Sequence, residues 1–184
     1  MEEGSEADGV RPSRSGDPLG AVLVEGSPGG AMKIVILAVG KLKDRRIASL
    51  AQEYLTRIRP TGIVGVDRVP DVAAVRPEEA IEREGLELLR RIRPRDRAVL
   101  LREDGTERTS TELASFLARE MERTAGRVLL IVGGPWGTSC DVAARADESL
   151  SLSRMTFPHE MCFLFLAEQL YRAFSILGGA GYHH

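Results

Sequence analysis

Short runs of aliphatic, β-branched residues alternate with amphipathic segments from residue 32 to the end of the chain, and this alternation constrains the fold most. The runs are too short for helices and are bounded by turn residues, so they are predicted to be buried strands. The predicted strands are residues 33–39, 63–69, 97–102, 127–132 and 150–155. Because helical segments separate them, the chain is predicted to be an α/β protein with a mostly parallel sheet flanked by helices.

Local signals mark the ends of the helices between these strands. A second helix is predicted over residues 77–92 from a proline suited to its first turn, and a first helix places on one apolar face Ile47, Leu50, Ala51, Tyr54, Leu55 and Ile58. Thr109 and Glu112 have the spacing of a capping box for the third helix. Ser139 suits the N-cap of a short fourth helix, and residues 103–105 are predicted to form a turn after the third strand.

Residues 1–31 differ in composition from the rest of the chain. They are rich in glycine, serine and proline, hold six acidic residues and two arginines, and lack an apolar period. We interpret them as a disordered N-terminal extension or the product of an early start codon, and residues 32–184 as one domain.

The overall composition, 43% hydrophobic and 28% charged, is that of an ordinary globular protein. The longest apolar run, residues 161–167, is far shorter than a membrane span. No signal peptide is visible, and Cys140 and Cys162 form no spaced motif, so a reduced, cytoplasmic protein is expected. Three histidines without clustered thiols or carboxylates predict that there is no metal site.

The last helix, residues 159–177, is apolar around most of its circumference. A helix that packs on one side of a sheet needs only one apolar stripe. We therefore expect a homodimer in which this helix meets its copy in a second subunit. The alternative is a central helix buried within one subunit.

Residues 129–137, LLIVGGPWG, join an apolar strand to a loop with little side chain. Either the loop is only a tight turn, or its backbone must approach a ligand closely. The sequence does not fit the P-loop pattern or G-x-G-x-x-G, and it follows the fourth strand rather than the first. Pattern and position thus disfavour a nicotinamide enzyme.

Several segments together resemble one family from residue 32 to the C-terminus. They are MKIVILAVG (32–40), the Gly-Gly loop, LSLSRMTFPH (150–159), LAEQLYRAFSI (166–176) and GYHH (181–184). In this order they resemble the bacterial 23S ribosomal RNA methyltransferases that act on N3 of a pseudouridine, small members of the SPOUT superfamily. The resemblance implies a C-terminal deep trefoil knot, an S-adenosyl-L-methionine cofactor, and active sites completed at a homodimer interface.

The resemblance also assigns the cofactor-binding residues to three loops. These are Leu101, then Gly133 and Gly134, and then Ser153, Arg154, Met155, Thr156, Phe157 and Pro158. Small side chains let backbone groups of a loop contact an adenine edge and a sulfonium. From the sequence we expect Gly134→Val to abolish cofactor binding and to leave the fold intact.

On the substrate side, the resemblance assigns catalytic positions to His159, Arg172, Tyr182 and His183. Methylation at N3 of a pseudouridine requires loss of the imide proton, and Arg172 could contact RNA or a carboxylate of the partner subunit. The structural alternatives are that His159 only begins a helix and that the terminal Tyr-His-His is a frayed chain end. Trp136 has packing as its default role, and His184 has no assigned role.

The expected partner is 23S rRNA within the assembled ribosome, bound through basic patches on the dimer. The candidates are Lys41, Lys43, Arg45 and Arg46, and the five arginines between Arg90 and Arg97. A solvated helix end is the simpler interpretation of the second group. The alternative functions are methylation of another RNA, such as tRNA, and a ribosome-binding module without catalysis.

Overall fold

The computed structural model describes residues 33–58, 63–73 and 76–179. Strands and helices alternate, and their bounds are β1 (Ile34–Val39), α1 (Arg45–Ile58), β2 (Val64–Val69), α2 (Pro77–Arg91), β3 (Arg97–Glu107), α3 (Ser110–Arg123), β4 (Val128–Val132), α4 (Cys140–Arg145), β5 (Glu148–Ser151) and α5 (His159–Leu177). The strands form one sheet in the order β2-β1-β4-β3-β5, with every neighbouring pair parallel. This confirms the predicted α/β class. The trefoil knot stays a prediction, and the proposed extension over residues 1–31 lies outside the described residues.

The central strands are buried along their whole length because helices cover both faces of the sheet. Every residue of β1 and β4 is buried, as is typical of parallel strands between two helical layers. Ile34 and Ile36 face α1, α3 and α5, whereas Val35 and Leu37 face α2 and α4. The continuous aliphatic runs in the sequence therefore reflect a three-layer sandwich.

The last helix lies between α1 and α3 on one face of the sheet. Its fully buried side chains are Phe163, Leu166, Ala167, Leu170 and Ala173. Other apolar side chains of α5, among them Leu164, Phe165, Tyr171 and Ile176, are only partly buried. The packing within the subunit thus explains one side of this apolar helix and leaves the homodimer a prediction.

The predicted helix signals are confirmed at atomic detail. Thr109 Oγ1 accepts a hydrogen bond from the Glu112 N–H at 3.2 Å, and the Glu112 carboxylate accepts one from the Thr109 N–H at 2.7 Å. Ser139 Oγ accepts from the Val142 N–H at the start of α4. Pro77 is the first residue of α2. These caps satisfy N–H groups that a helix leaves unpaired at its start.

Two strand predictions differ from the structure. Leu101 and Thr106 both pair with Leu150, so the turn predicted over residues 103–105 is a bulge within β3 rather than its end. A Cβ on Gly105 would lie 2.7 Å from the Leu150 carbonyl carbon, which explains the glycine in this bulge. The predicted strand over residues 150–155 is wrong in position, because β5 pairs with β3 over Glu148–Ser151 and the chain then leaves the sheet.

Candidate functional site

A cavity of about 340 Å³ lies at the edge of the sheet where the strands end. Three segments of the chain and the start of α5 enclose it. The lining residues are Leu101, Arg102, Glu103, Val132, Gly133, Gly134, Pro135, Trp136, Gly137, Thr138, Leu152, Ser153, Met155, Thr156, Phe157, His159 and Cys162. The carboxyl edge of a parallel sheet is the usual ligand side of an α/β protein. The cavity volume is within the range typical of small-molecule sites.

The structure brings most of the predicted cofactor residues together in this cavity. Leu101, Gly133, Gly134, Ser153, Met155, Thr156 and Phe157 all contribute to its lining. Arg154 and Pro158 do not. Arg154 is exposed and pairs with Glu107 at 3.3 Å, and Pro158 precedes the first residue of α5. Each of the three segments named from the sequence therefore contributes to the cavity, although the segment around Leu101 lies within β3 and is not a loop.

The glycine loop is a tight turn as well as a cavity wall. The Gly137 N–H donates to the Gly134 carbonyl oxygen at 3.0 Å, with Pro135 and Trp136 between them. Gly137 has a φ of +92°, a conformation that other residues rarely adopt. Proline after the first residue of a turn and glycine at its end are common for the same steric reasons. The tight turn is therefore confirmed, and the close approach of a ligand to this loop stays a prediction.

The two glycines before this turn are also required by packing inside the protein. A Cβ on Gly133 would lie 2.7 Å from Thr138 Cγ2, and a Cβ on Gly134 would lie 2.3 Å from Glu84 Oε2. Any side chain at Gly134 must displace the buried Glu84 carboxyl. The structure therefore does not support the expectation that Gly134→Val leaves the fold untouched.

Glu84 is a buried carboxyl directly beneath the glycine loop. Its residue is 2% exposed, its Oε1 accepts from the Val72 N–H at 3.0 Å, and its Oε2 has no hydrogen-bond partner among the described residues. Burial raises the pKa of Glu84, and the nearby charge of Asp71 raises it further. The hydrogen bond from the Val72 N–H lowers this pKa but does not cancel the rise. Sequence reasoning missed this residue. Its spacing of four from Ala80 and Leu88 places it on the buried face of α2 and was the available signal.

His159 is the first residue of α5 and lines the cavity. Burial lowers the pKa of its imidazole below the usual 6.5, and Lys43 and Arg68 lower it further, while Glu160 and Asp71 act in the opposite direction. The ring is therefore neutral at pH 7. A neutral imidazole can accept a proton from a bound group, which is the chemistry that a general base requires.

The position of His159 is fixed by the connection between β1 and α1. Glu160 Oε2 accepts hydrogen bonds from the Lys43 and Asp44 N–H groups, both at 3.1 Å. The Lys43 ammonium in turn pairs with Asp71 at 2.9 Å. These contacts tie the start of α5 to the loop that follows β1, and so orient the cavity-facing end of the helix.

The other predicted catalytic residues do not join His159 in this subunit's cavity as far as the structure describes them. Arg172 lies thirteen residues further along α5, roughly 20 Å along a helix that rises 1.5 Å per residue. Its Nε donates to Glu168 at 3.0 Å, a carboxylate of its own helix. Tyr182 and His183 lie outside the described residues.

Two further cavity residues were missed by sequence reasoning. Glu103 lines the cavity because the bulge in β3 turns this part of the chain toward it. Cys162 lies one helical turn after His159, and its thiol donates to the Phe157 carbonyl oxygen at 3.8 Å. Burial raises the pKa of Cys162, so its thiol stays protonated at neutral pH. The spacing of three residues from His159 was the available signal.

The two predicted basic patches lie at different ends of the sheet. Lys41, Lys43, Arg45 and Arg46 follow β1 at the carboxyl edge, near His159. The arginines between Arg90 and Arg97 lie between the end of α2 and the start of β3, at the amino edge. In that run Arg90 pairs with Glu87, Arg91 with Asp67, and Arg97 with Glu120 and Glu148.

Over residues 33–58, 63–73 and 76–179, no helix is long and apolar enough to cross a membrane. The same part of the chain holds no cluster of histidine, cysteine and carboxylate side chains that could bind a metal ion.

Known proteins resemble this chain over nearly its whole proposed domain. A protein from Porphyromonas gingivalis named ribosomal RNA large subunit methyltransferase H is 41% identical over 156 residues, covering 83% of this chain and 99% of that protein. A protein of the same name from Geotalea daltonii is 38% identical and covers 83% of this chain and all of its own length. A solved structure, a probable methyltransferase from Bordetella pertussis Tohama I, aligns at a TM-score of 0.49 with 16% identity, over 77% of this chain and 93% of that one.

A family model described as "Predicted SPOUT methyltransferase" matches residues 32–183. The match includes all three segments of the cavity, His159 and the C-terminal helix. The chain belongs to the SPOUT methyltransferase family.

Proposed function

We propose that the protein transfers a methyl group from S-adenosyl-L-methionine to N3 of a pseudouridine in 23S rRNA. One observation carries the proposal: three segments predicted to bind the cofactor and a neutral histidine line one small-molecule cavity at the carboxyl edge of the sheet. The relatives named ribosomal RNA large subunit methyltransferase H support rRNA as the substrate class. The motif resemblance over residues 32–184 supports the pseudouridine and its N3 atom. A ribosomal substrate places the enzyme in the cytoplasm.

The cavity fits S-adenosyl-L-methionine by its donor set. Residues 132–138 line the cavity and offer it peptide groups with little side chain in the way, and Ser153 and Thr156 supply hydroxyl groups. Leu101, Met155 and Phe157 add apolar surface for an adenosine. When bound, the cofactor supplies an electrophilic methyl group on a sulfonium. The protein's part is to hold this group in line with the nucleophilic nitrogen.

His159 is the residue placed to remove the imide proton. Its imidazole is neutral at pH 7, lines the cavity and is held by the contacts at the start of α5. Loss of the proton from N3 leaves the nitrogen lone pair free to take up the methyl group, and the imidazolium then releases its proton to solvent. Arg68 and Lys43, whose charges oppose protonation of His159, would favour that release.

A homodimer would complete this site. Arg172 lies about 20 Å along α5 from His159, so it can act in catalysis only in the site of a second copy. The partly buried apolar side chains of α5 offer a surface for such pairing. We assign Tyr182 and His183 a contact with the target base, because the C-terminal motif that contains them is part of the resemblance to the family.

RNA would reach the site over the carboxyl edge of the sheet. Lys41, Lys43 and Arg45 are exposed there, and Lys43 is close enough to His159 to affect its charge. Phosphate contacts from such residues give affinity without sequence information. The assembled ribosome would then supply the specificity.

The decisive experiment uses ribosomes from a strain that lacks the modification, with S-adenosyl-L-methionine carrying a labelled methyl group. After incubation, the rRNA is digested and the labelled nucleoside is identified by mass spectrometry. We expect N3-methylpseudouridine with the wild-type protein and none with His159→Ala. Label on tRNA or on another base would replace the proposed substrate. Cofactor binding by calorimetry without any label would favour a binding module, and absence of both would overturn the methyltransferase proposal.

A further inference from the structure

The chain's only tryptophan stands at the mouth of the cavity with most of its surface in solvent. Trp136 is 59% exposed and belongs to neither of the buried apolar cores on the two faces of the sheet, so the packing role expected for it is not observed. Met155, 70% exposed, lines the same cavity from the loop between β5 and α5. Large apolar side chains exposed beside a ligand site mark a contact surface more often than a packing defect.

The backbone holds Trp136 in a fixed position. It is the third residue of the turn closed by the hydrogen bond from the Gly137 N–H to the Gly134 carbonyl oxygen. The ring of Pro135 fixes its own φ angle, which restricts the backbone directly before Trp136. Glu84 supports the base of this loop, since its carboxyl packs against Gly134. The indole is therefore displayed on a rigid support, which lowers the entropy lost when a partner stacks on it.

A nucleobase is the occupant that this surface fits best. An enzyme that alkylates a base edge must take that base out of its stack, and a displaced base is stabilised by an aromatic side chain. Two exposed cations on the same side of the sheet can meet the adjoining phosphates by exchanging a carboxylate partner: Arg102 lines the cavity and pairs with Asp104 at 2.7 Å, and the side chain of Arg154 is 85% exposed and pairs with Glu107 at 3.3 Å. The methyl donor itself needs an enclosed site, whereas Trp136 stands at the open rim.

We propose that Trp136 stacks on a nucleobase of the substrate RNA at the cavity mouth and thereby contributes to substrate recognition. This inference rests on the proposed function, since it assumes that RNA is the substrate. It assigns to Trp136 a contact with the RNA rather than with the cofactor or with a second copy of the chain.

The first test compares the methylation kinetics of Trp136→Ala and Trp136→Phe on ribosomes. Loss of one stacking contact corresponds to about a fivefold or larger rise in KM for ribosomes, and phenylalanine should restore KM to within about threefold of wild type. Leu86→Ala is the matched control, because Leu86 is 50% exposed on α2 and does not line the cavity. An unchanged KM for Trp136→Ala would overturn the proposal.

Two other occupants give different results with the same variants. If the indole contacts the cofactor, Trp136→Ala raises the Kd for S-adenosyl-L-methionine in calorimetry and leaves the KM for ribosomes unchanged. If a second copy covers it, the variant lowers the dimer mass measured by light scattering. Either result, in place of the KM effect, overturns the proposal.

A second test does not depend on catalysis. Because Trp136 is the only tryptophan, the intrinsic emission of the wild-type protein reports on this position alone. We expect an RNA stem-loop with a pseudouridine in its loop to quench the emission, and S-adenosyl-L-methionine alone to leave it nearly unchanged. Absence of methyl transfer with quenching intact would reject the proposed reaction and keep the stacking contact. Unchanged emission at saturating RNA would reject the contact.

Discussion

The two edges of the sheet use charged and polar side chains in different ways. At the amino edge Arg97 pairs with Glu120 and Glu148, and Arg127 pairs with a buried Asp96. At the carboxyl edge Glu84 keeps an oxygen without a partner among the described residues, Trp136 is exposed, and His159 is neutral. Ion pairs hold strands and loops together at both edges, as Lys43 and Asp71 do at the carboxyl edge, but the carboxyl edge also has a cavity lined by Trp136 and His159. A dense run of arginines in a sequence is therefore weak support for RNA binding until their partners are known.

Removal of His159 should have the largest effect on turnover. We expect His159→Ala to lower kcat by about 10²- to 10⁴-fold, the usual contribution of a general base, with an unchanged Kd for the cofactor. Because the pKa of His159 is lowered, wild-type activity should fall only below pH 6.5, as the ring becomes protonated. The measurements are single-turnover rates from pH 5 to 8 and calorimetry. Arg127→Ala, at the amino edge, is the control. An equal loss of kcat in both variants would contradict a catalytic role confined to the carboxyl edge.

Removal of Asp96 should affect folding rather than catalysis. Asp96 accepts hydrogen bonds from the N–H groups of Arg93 and Arg127, both at 2.9 Å, and pairs with the Arg127 guanidinium. Breaking a buried ion pair costs about 3 to 5 kcal/mol, so Asp96→Ala should lower the free energy of unfolding by about that much in urea. The kcat of the folded fraction should stay that of wild type.

The same residue predicts an acid dependence of stability. Burial alone would raise the pKa of Asp96, but the hydrogen bonds and charge of Arg127 and the Arg93 N–H together lower it. A lowered folded-state pKa adds stability that is present above the unfolded value of about 3.9 and is lost as the pH falls through the folded value. Urea unfolding between pH 2 and 6 should show this loss in wild type and not in Asp96→Asn.

A smaller effect should couple the glycine loop to the carboxyl beneath it. Gly134→Ala places a carbon 2.3 Å from the present position of Glu84 Oε2, so the variant should lose about 1 to 3 kcal/mol of stability and bind the cofactor more weakly. Glu84→Ala removes the obstructing group. In a double-mutant cycle, the double variant should therefore lose less stability than the two single variants lose together, by about 0.5 kcal/mol or more. Additive losses would mean that the loop relaxes away from Glu84.

The smallest effects should come from the loss of phosphate contacts made by the two basic patches, measured as ribosome binding. Replacing Lys43, Arg45 and Arg46 by alanine should weaken ribosome binding more at low than at high salt, with the slope of log K against log salt reduced by about one per lost contact. The same change at Arg90, Arg93 and Arg95 should leave binding nearly unchanged, because that run lies at the far edge of the sheet. If both sets of variants weaken ribosome binding equally, the arginines between Arg90 and Arg97 also contact RNA.

Local sequence signals located most of the helices and strands, whereas the segments of the site came from resemblance to a family. The aliphatic runs of β1 and β4, the Thr109 capping box and the bounds of α5 needed only neighbouring residues, and the structure confirms each of them. The strand predicted over residues 150–155 failed because its position depends on pairing with β3, a contact between distant parts of the chain. The loops with Gly133 and Ser153 were named through resemblance to a family, and periodicity alone would not have selected them.

The sequence by itself determined the order of strands and helices, the glycine loop and the family, because these depend on residue type and spacing along the chain. Only the tertiary structure decided which side chains meet. It placed Glu84 beneath Gly134, separated Arg172 from His159, paired Arg97 and Arg127 with carboxylates and left Trp136 in solvent. The reason is that burial and charge pairing are properties of neighbours in space, and most of these neighbours are distant in sequence.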